Sequence, residues 1–252
     1  MVETRAGSKR KCSSTGDYAT NLGGIQGRRS TVPGRLNTIQ AKSYNKPVPA
    51  TQTSPRPLSL TSSHDPIFTI GHGTRTLSSL IDLLQSACIT KLVDVRSIPR
   101  SRTNPQFNHD ALLSSKELRE VHIDYIWLGL ELGGRRSARQ PNVERHTAIR
   151  VSAFRNYAGY MSTLTFREGL EKLMALADKM QSDGSGRVAI MCSETLWWRC
   201  HRRMIADALV VAGRDAQHLG ISKGAPTKHV LWNIARIDDD GGLIYDVKCD
   251  TG

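Results

Sequence analysis

The chain has 252 residues, with 35 Lys or Arg against 23 Asp or Glu and a formal net charge of +12 at neutral pH. A hydrophobic fraction of 38% is enough for a buried core, and no apolar run approaches the roughly 18 residues that cross a bilayer as a helix. Five cysteines, at 12, 88, 192, 200 and 249, are too few for a disulfide scaffold, and no apolar secretory segment opens the sequence, so a soluble protein of a reducing intracellular compartment is expected.

Charge is spread unevenly. Residues 1–64 carry ten Lys or Arg and only Glu3 and Asp17 as acids, which puts +8 of the net charge there and leaves +4 for the remainder. Crowded with Ser, Thr, Gly and Pro and lacking any period, this segment cannot bury enough apolar surface to offset its chain entropy and reads as a disordered basic tail. Its cluster Arg5, Lys9, Arg10 and Lys11 fits a nuclear import signal or a nucleic-acid arm, and the Arg- and Ser-rich, acid-poor composition also fits a mitochondrial presequence. Nucleus is expected ahead of mitochondrion.

From 65 to 221 the pattern alternates between strand-like and helix-like segments, with 222–252 as a C-terminal extension. Ile67 to Ile70 reads as a first strand, followed by the turn Gly71-His72-Gly73 and a helix capped by Thr76 with Leu80, Leu83, Leu84 and Ala87 on one face. Cys88 falls in that apolar stretch as a packing residue. Leu92 to Val95 is a second strand, Asn108 is placed to cap a helix running to about Glu120, and Ile123 to Leu128 is a third strand. A Gly- and Arg-rich loop spans 129–145, helical spacing returns at 153–161 and 166–180, and Val188 to Met191 forms a fourth strand ending at Cys192. From Cys200 onward Met204, Ile205, Ala208, Leu209 and Ala212 recur at helical spacing, and a short strand lies near 216–219. The extension carries strand character at 230–237 and 243–247. Such alternation predicts an α/β layered domain with a largely parallel sheet flanked by helices.

Polar residues gather at three strand ends: His72 and Arg75 after the first, Asp94 and Arg96 after the second, Cys192 and Glu194 after the fourth. In a parallel sheet these converge on one edge, where open α/β folds bind ligands. Arg199, Cys200, His201 and Arg202 follow within ten residues of Cys192, at the start of the next helix, and Arg135 lies in the long loop. Arginines grouped around one edge, interleaved with Phe107, Trp127, Trp197 and Trp198, suit phosphates and bases, so a nucleic acid or nucleotide is the expected partner, with no membrane partner.

The strings TIGHGTRTL (69–77), LVDVRSIPRSRTNPQFN (92–108), ELGGRR (131–136) and MCSETLWWRCHRRMIADAL (191–209) resemble the family catalogued as domain of unknown function 488, over roughly residues 66–220. The resemblance implies a compact α/β fold and a cluster of motif residues, Cys192, Glu194, Cys200, His201 and Arg202, without a settled reaction. A weaker likeness is to rhodanese-like and cysteine-phosphatase-like domains, in which a compact loop wraps an anion around a thiolate. Here the loop 193–198 lacks the glycines of such a cradle, and Glu194 would repel an oxyanion and raise the pKa of Cys192.

Three functional readings follow. The first is an enzyme acting on a phosphate-bearing or nucleic-acid substrate, with Glu194 and His201 as acid–base candidates, Cys192 as a possible nucleophile, and His72, Arg75, Asp94, Arg96, Arg135, Arg199 and Arg202 forming the substrate and anion site. The second is a non-catalytic nucleic-acid-binding module in which the same residues lock the fold: Cys192 as a core thiol, Glu194 pinning Arg199 or Arg202, His201 as a structural helix-start residue. The third is sulfur transfer or phosphatase chemistry at Cys192. Seven residues separate Cys192 from Cys200, beyond the two to four of a zinc knuckle, and a tetrahedral site would need His201 plus a distant ligand such as His72; no metal or cofactor is expected. A Cys192–Cys200 redox pair is also conceivable.

Overall fold

The structure, a computed structural model, describes residues 64–221 and 224–247. The basic tail and its import-signal cluster lie outside these residues, apart from His64.

Strand β1 (Ile67–Gly71) is buried along its whole length, which is why it reads as a continuous apolar run and not as an alternation. Thr76 accepts from Ser79 N at 3.1 Å to cap α1 (Leu77–Ser86), whose Leu80, Ile81 and Leu84 are buried. Cys88 lies beyond that helix, at positive φ, in the turn to β2 (Ile89–Asp94). The single helix expected from Asn108 to Glu120 is two short ones, α2 (His109–Leu113) and α3 (Lys116–Glu120). The break follows from the caps: Ser115 accepts from Leu118 N at 3.2 Å and starts a second helix, while Asn108 uses its Oδ1 on Ser101 N instead of capping. After β3 (Asp124–Trp127), the loop expected at 129–145 contains a short helix, α4 (Gly129–Leu132), and a 3₁₀ turn at Val143–Arg145. Helices α5 (Ser152–Tyr160) and α6 (Leu164–Ser182) lead to β4 (Arg187–Cys192), α7 (Arg202–Val211) and β5 (Ala216–His218). The extension supplies β6 (Thr227–Lys228) and a hairpin of β7 (Ala235–Ile237) with β8 (Leu243–Tyr245).

The main sheet has the order β3-β2-β4-β1-β5-β6, parallel except for β6, which runs antiparallel to β5. Alternate strand residues feed two cores. Phe68, Ile70, Leu92, Ala189 and Met191 pack with Leu80 and Leu84 of α1, Leu112 of α2 and Leu118 of α3. Ile67, Val93, Val188, Ile190 and Cys192 pack with Tyr157, Leu173, Met204, Ile205 and Leu209 of α5, α6 and α7. Fully burying each such side chain contributes about 1.5–3 kcal/mol, so the sheet is held from both faces. No helix among the described residues is long and apolar enough to cross a membrane.

The chain leaves β2 toward β3 and leaves β4 toward β5, in opposite directions, although β2 and β4 are neighbours. That reversal opens a crevice at their carboxyl ends, the usual ligand position in this type of sheet.

Candidate functional site

A recess of about 350 Å³ occupies this crevice. Its walls come from the segment after β2 (Arg96 to Ser101), from Gly134 and Arg135, and from Cys192 to Glu194 after β4; Arg199, Cys200 and His201 close it. Arg100, Arg135, Arg199 and Glu194 are exposed, whereas Cys192, Cys200 and His201 are buried at its floor. A second recess of about 590 Å³ adjoins it, sharing Ser97, Ile98 and Arg100 and lined further by Pro99, Pro105, His109 and Trp127.

The floor is tightly organised. His201 Nε2 lies 2.9 Å from the carbonyl oxygen of Val95, so it carries a hydrogen and donates, and Nδ1 faces Cys200 Sγ at 3.4 Å and Cys192 Sγ at 3.9 Å. The edge of Tyr157, 5.3 Å between centroids, and the backbone of Gly134 confine the ring; a Cβ at Gly134 would sit 2.5 Å from Nδ1. The sulfurs and Nδ1 all lie within 4.8 Å of one another, a donor set able to hold a metal ion. The hydrogen bond to Cys200, and then burial, push the Cys192 thiol up to about 12. Burial opposes ionisation of Cys200 too, but the Cys192 hydrogen bond, the Arg202 charge and the Arg202 backbone N–H bring it down to about 6.

Behind the floor lies a closed polar network. Asp94 and Arg96 are 0% and 6% exposed and joined through Arg96 Nε to Asp94 Oδ1 at 2.9 Å; Arg96 also donates to Phe107 O at 2.6 Å and, at 3.2 Å, to His72 Nε2. Burial works against the charge on Arg96, and Asp94 more than offsets it, holding its pKa above the usual value. Tyr125 donates to Asp94 at 2.8 Å. His72 donates from Nδ1 to Gly73 O at 2.9 Å, stacks on Phe107 at 4.3 Å, and is held neutral, its pKa lowered to about 4 by burial and then by the charge of Arg96.

Two more arginines are committed to the backbone. Arg75 donates to Gly71 O and Gly220 O at 2.6 and 2.7 Å. Arg202, fully buried, donates to the carbonyls of Glu194 and Thr195 and to Thr69 Oγ1. The loop after Cys192 thus turns these carbonyls inward, toward a guanidinium, and the Glu194 carboxylate accepts from Leu196 N at 3.2 Å instead of pairing with an arginine. Trp197 stacks on His218 at 4.0 Å, while Trp198 is 41% exposed.

Of the residues singled out from sequence, Cys192, Glu194, His201, Arg96, Arg135 and Arg199 line the recess, and His72, Arg75, Asp94 and Arg202 support it from behind. Arg100 and Cys200 belong to the lining and were not among the candidate site residues. Cys200 was signalled by the CHR string, but its approach to Cys192 depends on the 3₁₀ turn Trp197–Arg199 folding the chain back.

The fold and recess define a three-layer α/β protein with a basic, thiol-floored crevice at its switch point. The family model described as "Domain of unknown function DUF488" matches residues 76–209, and the chain belongs to that family. Neither a curated protein nor a solved structure matches it.

Proposed function

We propose that this chain is an enzyme acting on a phosphate-bearing substrate, a nucleotide or nucleic acid, in the recess between β2 and β4. One observation carries the reading: Arg100, Arg135 and Arg199 stand exposed around the same recess that holds Glu194 and the Cys192–Cys200–His201 floor. Forked donors at an open rim suit phosphate oxygens. The adjoining recess, walled by Ile98, His109 and Trp127, offers an apolar surface for a base next to the phosphate site. Glu194, exposed and held by Leu196 N, is the acid–base group of this proposal. Nuclear residence is part of it, supported by the cluster Arg5, Lys9, Arg10 and Lys11.

A second reading, a non-catalytic nucleic-acid-binding module, draws on the closed Asp94–Arg96–His72 network, in which motif residues serve the fold. The two separate by experiment. A short labelled single-stranded oligonucleotide and a nucleoside triphosphate are titrated at low salt and through a salt series. Arg135→Ala and Arg199→Ala each reduce the salt slope by about one. Glu194→Gln leaves binding intact and lowers turnover about 10²–10⁴-fold if the chain is an enzyme, and changes nothing if it is a binding module. Absence of binding to either probe at low salt refutes both readings.

A further inference from the structure

We propose that Cys192, Cys200 and His201 bind one divalent metal ion of the zinc class, with a fourth coordination position open to the arginine-rimmed recess. Two sulfurs and an imidazole nitrogen form the donor set that suits zinc, and all three are buried. Spacing along the chain argued against a knuckle, but the site does not need one: Cys192 ends β4, and the fold-back at Trp197–Arg199 returns Cys200 and His201 to it.

The distances support coordination. With metal–sulfur bonds of about 2.3 Å and metal–nitrogen bonds of about 2.0–2.1 Å, a tetrahedral centre separates sulfur from nitrogen by roughly 3.5 Å. Here the two separations are 3.4 and 3.9 Å. The ring is already oriented: Nε2 donates to the Val95 carbonyl, so Nδ1 is the nitrogen turned toward the sulfurs. A metal-bound histidine characteristically gives its other N–H to just such an acceptor. The confinement of the ring by Tyr157 and Gly134 means that little ordering remains for the ion to impose.

Three protein ligands beside a cavity leave the arrangement of a catalytic centre, not that of a closed structural one. The fourth position takes water or a substrate oxygen, where a metal polarises a phosphoryl group or lowers the pKa of water. That use of the site rests on the phosphate reading above; the metal site itself does not.

The test uses the full chain, reduced, loaded with zinc and passed over a chelating resin, with retained metal counted by mass spectrometry. One zinc per chain is expected. Cys200→Ser and His201→Asn each weaken retention more than about 100-fold, beyond the 10–100-fold that loss of a merely orienting partner costs. Cobalt substitution of the unmutated chain produces thiolate-to-cobalt charge-transfer absorption, which needs no variant to fold and which Cys192→Ser diminishes. A reduced chain that keeps no zinc, variants that keep it undiminished, or a cobalt spectrum without thiolate bands overturns the proposal. None of these readouts involves nucleotide, so failure here is distinct from failure of the phosphate site.

Discussion

Acidification should unlock the network behind the recess at His72. Its folded-state pKa is about 4 against an ordinary 6.5, because burial and the neighbouring Arg96 charge disfavour a second proton. Both ring nitrogens are engaged, Nδ1 as donor to Gly73 O and Nε2 as acceptor from Arg96, so protonation would point a new N–H at a guanidinium. Above pH 6.5 the ring is neutral in both states and its contribution is complete. Between pH 6.5 and about 4 the unfolded chain takes up a proton that the folded chain refuses, so stability falls through that window and levels off beneath it. At about 1.4 kcal/mol per pH unit the loss reaches about 3 kcal/mol. At about 2–4 °C per kcal/mol for a domain of this size, that is a melting point roughly 10 °C lower. The assay is urea unfolding at pH 7, 6, 5 and 4 on the unmutated chain and on His72→Gln. His146 and His218, lowered to about 4 and about 3, titrate in both and cancel in the comparison. The variant should start less stable and lose about 3 kcal/mol less on acidification. Parallel curves for the two proteins would refute the role assigned to His72.

Three substitutions test the supports of the site by thermal or chemical melting. Asp94→Asn keeps the shape but strips the buried Arg96 of its counter-charge and should cost about 3–5 kcal/mol; a cost under about 1 kcal/mol contradicts the network. In Gly71→Ala the added Cβ would collide with the Glu194 carbonyl oxygen, so a loss of about 1–3 kcal/mol or more is expected, with disorder in the loop after Cys192; a variant melting with the parent shows that the loop is not packed on β1. Arg202→Met leaves the carbonyls of Glu194 and Thr195 without their donor, at about 1–3 kcal/mol each, and an unchanged midpoint would remove Arg202 from its anchoring role.

The architecture was legible because the central strands β1 and β4 are short apolar runs buried on both faces, and because Thr76 marks a helix start by local chemistry alone. The family likeness, carried by four motifs in order, extends over the matched region. Less legible was anything set by long-range pairing. Arginines cluster visibly in the sequence, but not which of them meets Asp94 or a backbone carbonyl and which stays free at the rim. Cys200 joins Cys192 only through a fold-back that spacing does not reveal. The buried chain from Thr69 through His218 and His229 to Asp207, with links of 2.7, 3.0 and 2.9 Å, ties β1, the extension and α7 together across up to 149 positions and has no local sequence signal.

The measurement that tests the functional account most directly is a crystal structure of the chain with a bound nucleotide or short oligonucleotide. Phosphate oxygens are expected within hydrogen-bond reach of Arg100, Arg135 and Arg199, with the rest of the ligand entering the recess walled by Ile98 and Trp127. A phosphate bound away from the crevice between β2 and β4, or a crevice left empty at saturating ligand, would contradict it.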